Sequence, residues 1–259
     1  MKTTNYCWKL FLKFVSIPLF LMGMLPLAFA DADDNVVEIL GVHYPPYEIE
    51  NPTDNRRGHD LEVIEAAFAN VGIKANFTFL PWNRAVMIVK KGDATALMSC
   101  SYRPERDEFY QFSDVISLST RGFYGLANYD GPIIKKLEDV KKPEFSNISF
   151  GIVQGYALEQ ILKNMGVAYD SAPNDALGLK KIFAGRTDLF LTTKENTEYL
   201  LREMGEARKL QFFRLFDAKY HVCFSKKAPN VEHLLAEFNK GLRMLQYSGR
   251  YEEIHANYR

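Results

Sequence analysis

No surplus of either charge marks this chain: 32 Lys and Arg balance 32 Asp and Glu over 259 residues. A nucleic-acid partner needs a basic footprint, and none exists. Cysteine is scarce, three in all, which excludes a small scaffold held together by a disulfide framework. No phosphate loop and no Gly-x-Ser-x-Gly elbow occurs. Gly151-Ile152-Val153-Gln154-Gly155 is too sparse for a dinucleotide turn. The five histidines, His43, His59, His221, His233 and His255, show no metal-ligand spacing, so neither a metal nor another cofactor is expected. His233 and His255 read as surface residues. What is present is ordinary globular composition, 47% hydrophobic and 25% charged, with 14% aromatics. It can bury a full core in one large or two small domains.

The first thirty residues differ from the rest. Lys2, Lys9 and Lys13 are the only charges before Asp31, and 17 uncharged residues run from Phe14 to Ala30. A basic start, an apolar middle and Ala28-Phe29-Ala30 at the end describe a secretory signal peptide over 1–30, cleaved after Ala30. The run falls short of the ~20 residues of a spanning helix. Cys7 precedes it and is misplaced for a lipid anchor. Loss of the three lysines leaves 29 basic against 32 acidic residues. No second long apolar run follows, so the expected product is a soluble periplasmic protein. Cys100 and Cys223 remain. Export permits a bridge, but sequence spacing cannot decide between a bridge and two buried thiols.

Strand and helix signals then alternate. Val36–Val42, Ala75–Leu80 and Ala94–Met98 read as strands, with helices over 61–69 and 83–91 between them. Asp60 is placed to cap the first helix and Gly92 to end the second. The pattern restarts with a strand at 149–153, helices at 157–165 and 175–183, a strand at 189–191 and a helix from 194. Arg121–Leu126 and Tyr220–Phe224 read as extended crossings, and a long amphipathic helix covers 231–245. The predicted class is α/β, with two lobes, each a mostly parallel sheet flanked by helices, joined by two hinge crossings. Lobe 1 is 31–125 with 219–259, and lobe 2 is 126–218. A cleft between such lobes is where a ligand is expected.

Ordered landmarks accompany this pattern. They are Tyr44-Pro45-Pro46-Tyr47, Gly58-His59-Asp60-Leu61-Glu62, Lys91-Gly92-Asp93-Ala94, Arg103-Pro104-Glu105-Arg106 and Phe112-Ser113-Asp114. Gly151–Gly155, Ala184-Gly185-Arg186-Thr187-Asp188 and Ser248–Ile254 complete the series. From Val36 to Tyr258 the chain resembles the periplasmic solute-binding proteins of ABC importers, in their polar amino-acid-binding group (family 3), with the type II periplasmic binding fold. The resemblance implies a monomer that binds a small carboxylate-bearing ligand and docks on a membrane permease.

It also implies site residues. Arg106, counted back from Phe112-Ser113-Asp114, corresponds to the arginine that grips the ligand carboxylate, a match of guanidinium fork to carboxylate. The other reading of Arg106 is a surface ion pair with Glu105, Asp107 or Glu108. Ser101 and Ser99 fall where the family contacts the same carboxylate. Tyr44 and Tyr47 correspond to aromatics that line the cleft, unless Pro45-Pro46 only builds a rigid turn with packed tyrosines. Trp82 and Arg84 either meet a polar ligand or form a cation–π pair on a helix start. Gly155 and Tyr156 lead into a helix whose free N–H groups attract oxygens. Thr193 stands where amino-acid binders of the family carry an aspartate for the α-ammonium, and Glu195 is two residues on. An ammonium buried without a carboxylate is costly, so the ligand is either an acid without an α-amine or an amino acid held by Glu195.

Two other classes remain open. The same fold hosts exported cyclohexadienyl dehydratases, for which Glu195 or His43 would have to supply a proton. A sensor domain would need a separate membrane receptor. Binding, without catalysis, is the expectation.

Overall fold

The computed structural model describes residues 35–206 and 209–258. The expected leader, with Cys7, lies outside them. Val36–Gly41 (β1) is buried at every position except Val36 and Glu38, as a strand covered on both faces must be. It pairs in parallel with Lys74–Phe79 (β2) and Ala96–Ser101 (β3). His59–Ala69 (α1) and Trp82–Lys91 (α2) form the crossovers. α2 ends as predicted at Gly92, which takes a left-handed φ of 90° that only glycine adopts cheaply.

A short strand, Tyr110–Phe112 (β4), precedes the outward crossing, Ser117–Leu126 (β5). The second lobe repeats the alternation with Phe150–Val153 (β6), Ala157–Asn164 (α3), Asp170–Ala172 (β7), Asp175–Phe183 (α4), Leu189–Thr193 (β8) and Lys194–Glu203 (α5). Leu210–Ser225 (β9) returns the chain to Val231–Tyr247 (α6) and Arg250–Ala256 (α7). The strand order is β2-β1-β3-β9-β5-β8-β6-β7, with β4 also on β9. Pairs within each lobe's βαβ units are parallel. The crossings β5 and β9 are antiparallel to one another and to β3, β4 and β8. Because these two strands stay paired from Ser117↔Tyr220 to Leu126↔Leu210, the lobes belong to one unit, Asn35–Arg259.

Each lobe buries its own apolar residues. In the first, Ile39, Ile64, Phe68, Phe224 and Phe238 are fully buried together. Gly241 lets α6 approach α1, since a Cβ there would meet the Ala67 carbonyl at 1.9 Å. In the second, Phe123, Phe150, Ile152, Leu162 and Leu189 pack on one face of the sheet, and Leu179, Ile182 and Phe190 on the other.

Three expectations are corrected. Asp60 does not cap α1: Gly58 holds the cap position, and the first helical N–H groups donate to the Pro46 and Tyr47 carbonyls. Asp60 is instead a buried acceptor for the Ser99 and Ser117 hydroxyls, at 2.9 and 3.0 Å. β9 begins ten residues before the predicted crossing, because its outer half carries Arg214, Asp217 and Lys219 on a partly exposed face that hides the apolar signal. His255 is not a surface residue: α7 packs its ring 4.7 Å from His59 and 4.4 Å from Tyr251.

Candidate ligand-binding site

The open question about cysteine has an answer. Cys100 and Cys223 form a disulfide, with Cα atoms 5.8 Å apart. The β3–β9 register pairs Cys223 with Leu97 and shifts before Cys100. A β-bulge at that shift carries Cys100 back toward its partner. Ser99, inside the bulge, holds a φ of 45°, an uncommon conformation for a non-glycine residue and one that collects at functional sites.

Directly beyond the bulge, the 3-10 turn Pro104–Arg106 aims Arg106 back over β3. Its Nη1 donates to the Ser101 carbonyl at 2.9 Å and lies 3.4 Å from Cys100 Sγ. Its guanidinium carbon sits 5.5 Å from the Trp82 ring centroid. Neither Glu105, Asp107 nor Glu108 pairs with it; Asp107 accepts from the Tyr102 hydroxyl instead. Burial pushes the Arg106 guanidinium down to about 10, so it stays charged at neutral pH. A partly desolvated cation with only neutral contacts is prepared to receive an anion.

A cavity of about 380 Å³, counting the open solvent at its mouth, opens in front of this group. Arg106, Trp82, Ser99, Ser101 and Tyr44 border it from the first lobe and Tyr156 from the second. Tyr44 stacks on Tyr47 at 5.3 Å and meets the Tyr156 and Tyr220 rings edge-on. Burial raises the Tyr44, Tyr47 and Tyr156 phenols well above their ordinary range, so they act as neutral hydroxyls.

Predicted residues also meet between the lobes, Trp82 in addition to bordering the cavity. Tyr47 is fully buried, and its hydroxyl donates to Glu195 Oε2 at 3.1 Å. Glu195 also accepts the Thr120 N–H, so its carboxylate is engaged away from the cavity. Trp82 Nε1–H donates to the Gly155 carbonyl at 3.2 Å, and Arg103 donates to the Ala157 carbonyl. The Gly155 N–H is taken by Glu159 Oε2 at 2.6 Å, so it is not the free donor that the helix start suggested. A side chain at Gly155 would also meet Asn83 Oδ1 at 2.1 Å. Thr193 Oγ1 accepts from Tyr44 at 2.5 Å and from Arg121. Arg84 is exposed, because two residues along a helix turn it about 200° from Trp82. His43 Nδ1 accepts the Glu50 N–H at 3.2 Å and faces a neighbouring groove.

Sequence reasoning missed Glu48, Arg121 and Tyr220, all of which border the cavity. Arg121 carried a readable signal: an arginine inside an otherwise uncharged run from Ser117 to Leu126. Glu48 is 1% exposed. Burial, then the nearby Asp60, raises its pKa well above the ordinary range, and neither of its carboxyl oxygens has a hydrogen-bond partner. A carboxyl whose pKa is higher folded than unfolded stabilises the fold fully below the unfolded value, about 4.3. That contribution is lost as pH rises through the folded value. Urea titrations should therefore show Glu48→Gln gaining on the unmutated protein, by up to about 1.4 kcal/mol per pH unit from roughly pH 4.5 upward. Parallel curves at pH 4, 6 and 8 would contradict the burial argument.

Among the described residues no group of His, Cys, Asp and Glu is arranged to hold a metal ion, and no helix is long and apolar enough to cross a membrane.

The model of bacterial extracellular solute-binding proteins, family 3, matches residues 39–259. A probable ABC transporter extracellular-binding protein, YckB of Bacillus subtilis (strain 168), is 27% identical over 162 residues, 60% of this chain. The chain spans only about half, 54%, of that relative's length. A probable histidine-binding protein of Neisseria gonorrhoeae is 21% identical over 83% of this chain and 79% of its own. A histidine kinase sensor domain of known crystal structure superposes with a TM-score of 0.76 at 22% identity, over 86% of this chain and 95% of that one. The chain thus has the two-lobed type II fold, and it belongs to the bacterial extracellular solute-binding proteins of family 3.

Proposed function

We propose that the chain is an exported, monomeric receptor that captures a small carboxylate-bearing ligand, an amino acid or a related compound, between its lobes. It then delivers that ligand to the membrane permease of an ABC importer. The observation that carries this reading is Arg106: a half-buried guanidinium, held by a carbonyl and a tryptophan face, bordering the cavity without a carboxylate of its own. The lobe limits, 31–125 with 219–259 and 126–218, belong to the same reading. The names of the two curated relatives, an ABC transporter binding protein and a histidine-binding protein, support the role. Ligand favours the closed form only by binding it better than the open one. Hydrogen bonds from Trp82 to Gly155 and from Tyr47 to Glu195 are among the lobe-to-lobe contacts that closure would make.

Thermal unfolding against a panel of small carboxylates tests it. A ligand at a hundred times its Kd adds roughly 2.7 kcal/mol, and its methyl ester or amide adds much less. Equal shifts from acids and their neutral isosteres, or none from any acid, would refute the reading.

One observation favours a second reading. Glu48 borders the cavity with a carboxyl held up by burial, which is what a proton donor in a dehydratase-like reaction requires. Conversion of a cyclohexadienyl acid to an aromatic product, lost in Glu48→Gln, would replace the receptor reading. Its absence alongside tight binding would retire the enzyme.

A further inference from the structure

A second guanidinium, that of Arg121, stands in the cavity wall. Arg121 is 5% exposed. Its Nη2 donates to the Tyr220 hydroxyl at 2.6 Å and its Nη1 to Thr193 Oγ1. Its Nε has no hydrogen-bond partner. Tyr220 donates onward to Tyr44 at 3.3 Å, and Tyr44 to Thr193 at 2.5 Å. Every group that Arg121 touches in this ring is a neutral hydroxyl. An arginine remains charged in proteins, and an isolated buried charge is expensive. Among the described residues no carboxylate forms an ion pair with it. Asp175 lies within reach of its field, but its oxygens accept from Thr192 at 2.7 Å and Tyr156 at 3.2 Å. The neutral contacts and the Tyr220 ring, 5.2 Å from its guanidinium carbon, position the fork, and no carboxylate of the described residues meets it.

Resting on the reading that Arg106 grips a carboxylate, we propose that Arg121 is a second anion-binding residue. The favoured ligand is then a small dicarboxylate without an α-amine, one carboxylate on Arg106 and the other on Arg121. The same geometry disfavours an α-amino acid. An ammonium brought to Thr193 would meet the Arg121 guanidinium that already donates to that hydroxyl, and like charges at such range repel. Glu195, the acid nearest in sequence, is engaged by Tyr47 and Thr120. Glu48 borders the cavity, but burial and the nearby Asp60 disfavour its charged form, which makes it a poor partner for an ammonium.

Calorimetric titration of the purified protein with succinate, glutarate, their half-amides, and glutamate and glutamine tests this. In the unmutated protein each diacid should bind at least tenfold tighter than its half-amide and tighter than either amino acid. Arg121→Met should weaken diacid binding by about 100-fold (about 2.7 kcal/mol) and leave half-amide binding within a fewfold. Arg106→Met should weaken both classes. Arg121→Lys, which keeps the charge without the fork, should fall between. Equal affinity for diacids and half-amides, tightest binding by an amino acid, or diacid binding indifferent to Arg121→Met overturns the proposal and makes Arg121 a structural residue. Any of these with Arg106→Met still damaging leaves the carboxylate-receptor reading intact. Binding indifferent to Arg106→Met, or no binding by any acid, removes both. Should Arg121→Met fail to fold, the diacid to half-amide ratio in the unmutated protein decides alone.

Discussion

Arg106→Ala is expected to lower affinity for the bound carboxylate by at least about 100-fold. Removing one partner of a desolvated, hydrogen-bonded charge pair costs about 2 to 5 kcal/mol, and the neighbouring cation, Arg103, is engaged by the Ala157 carbonyl. Arg106→Lys should lose less, because it keeps the charge and gives up the two-pronged fit. Stability without ligand should hold or rise slightly in both variants. The folded protein buries this guanidinium against Ser101, Cys100 and Trp82, and no carboxylate offsets the cost of desolvating it. A large fall in stability together with unchanged affinity would show that Arg106 is a packing residue and would break the site assignment.

Loss of the disulfide is the other large effect. Cys100 and Cys223 are 123 residues apart in sequence, and a loop of that size confines the unfolded chain strongly. The chain-entropy estimate is about 5 kcal/mol, and loss of a native bridge typically costs 2 to 5. Cys100→Ser with Cys223→Ser should therefore lower unfolding stability by about 2 to 5 kcal/mol in urea. It should also loosen ligand binding, because Cys100 Sγ and the Ser101 carbonyl are the two contacts that hold Arg106 Nη1. Identical urea curves for oxidised, reduced and doubly substituted protein would contradict this.

The elements were legible wherever burial on two faces or a helical stripe left a strong local pattern. β1, α2 with its Gly92 stop, and α6 read correctly for that reason. β4 and β7, three residues each, carry too few positions for a period to show. The outer half of β9 is a tertiary product: it is a strand because β5 lies beside it, and its own charges argue otherwise. The site divides in the same way. Of the predicted residues that border the cavity, Arg106 and Tyr44 lie in ordered landmarks of the sequence, and Trp82 lies outside them. Arg121, Tyr220 and Glu48 come from three distant segments and meet only once the sheet is assembled. Burial gave each of these polar groups its role, and burial of a polar side chain is what a local sequence pattern reports least well. The disulfide shows the same limit, since the bulge at Ser99 that brings Cys100 to Cys223 has no signature in spacing.

The most direct measurement is a crystal structure grown with the acid that most raises the unfolding temperature. Carboxylate oxygens are expected about 2.7 to 2.9 Å from the Arg106 guanidinium, inside the cavity bordered by Tyr44, Trp82 and Tyr156. A ligand bound elsewhere, or one whose carboxylate faces away from Arg106, would contradict it.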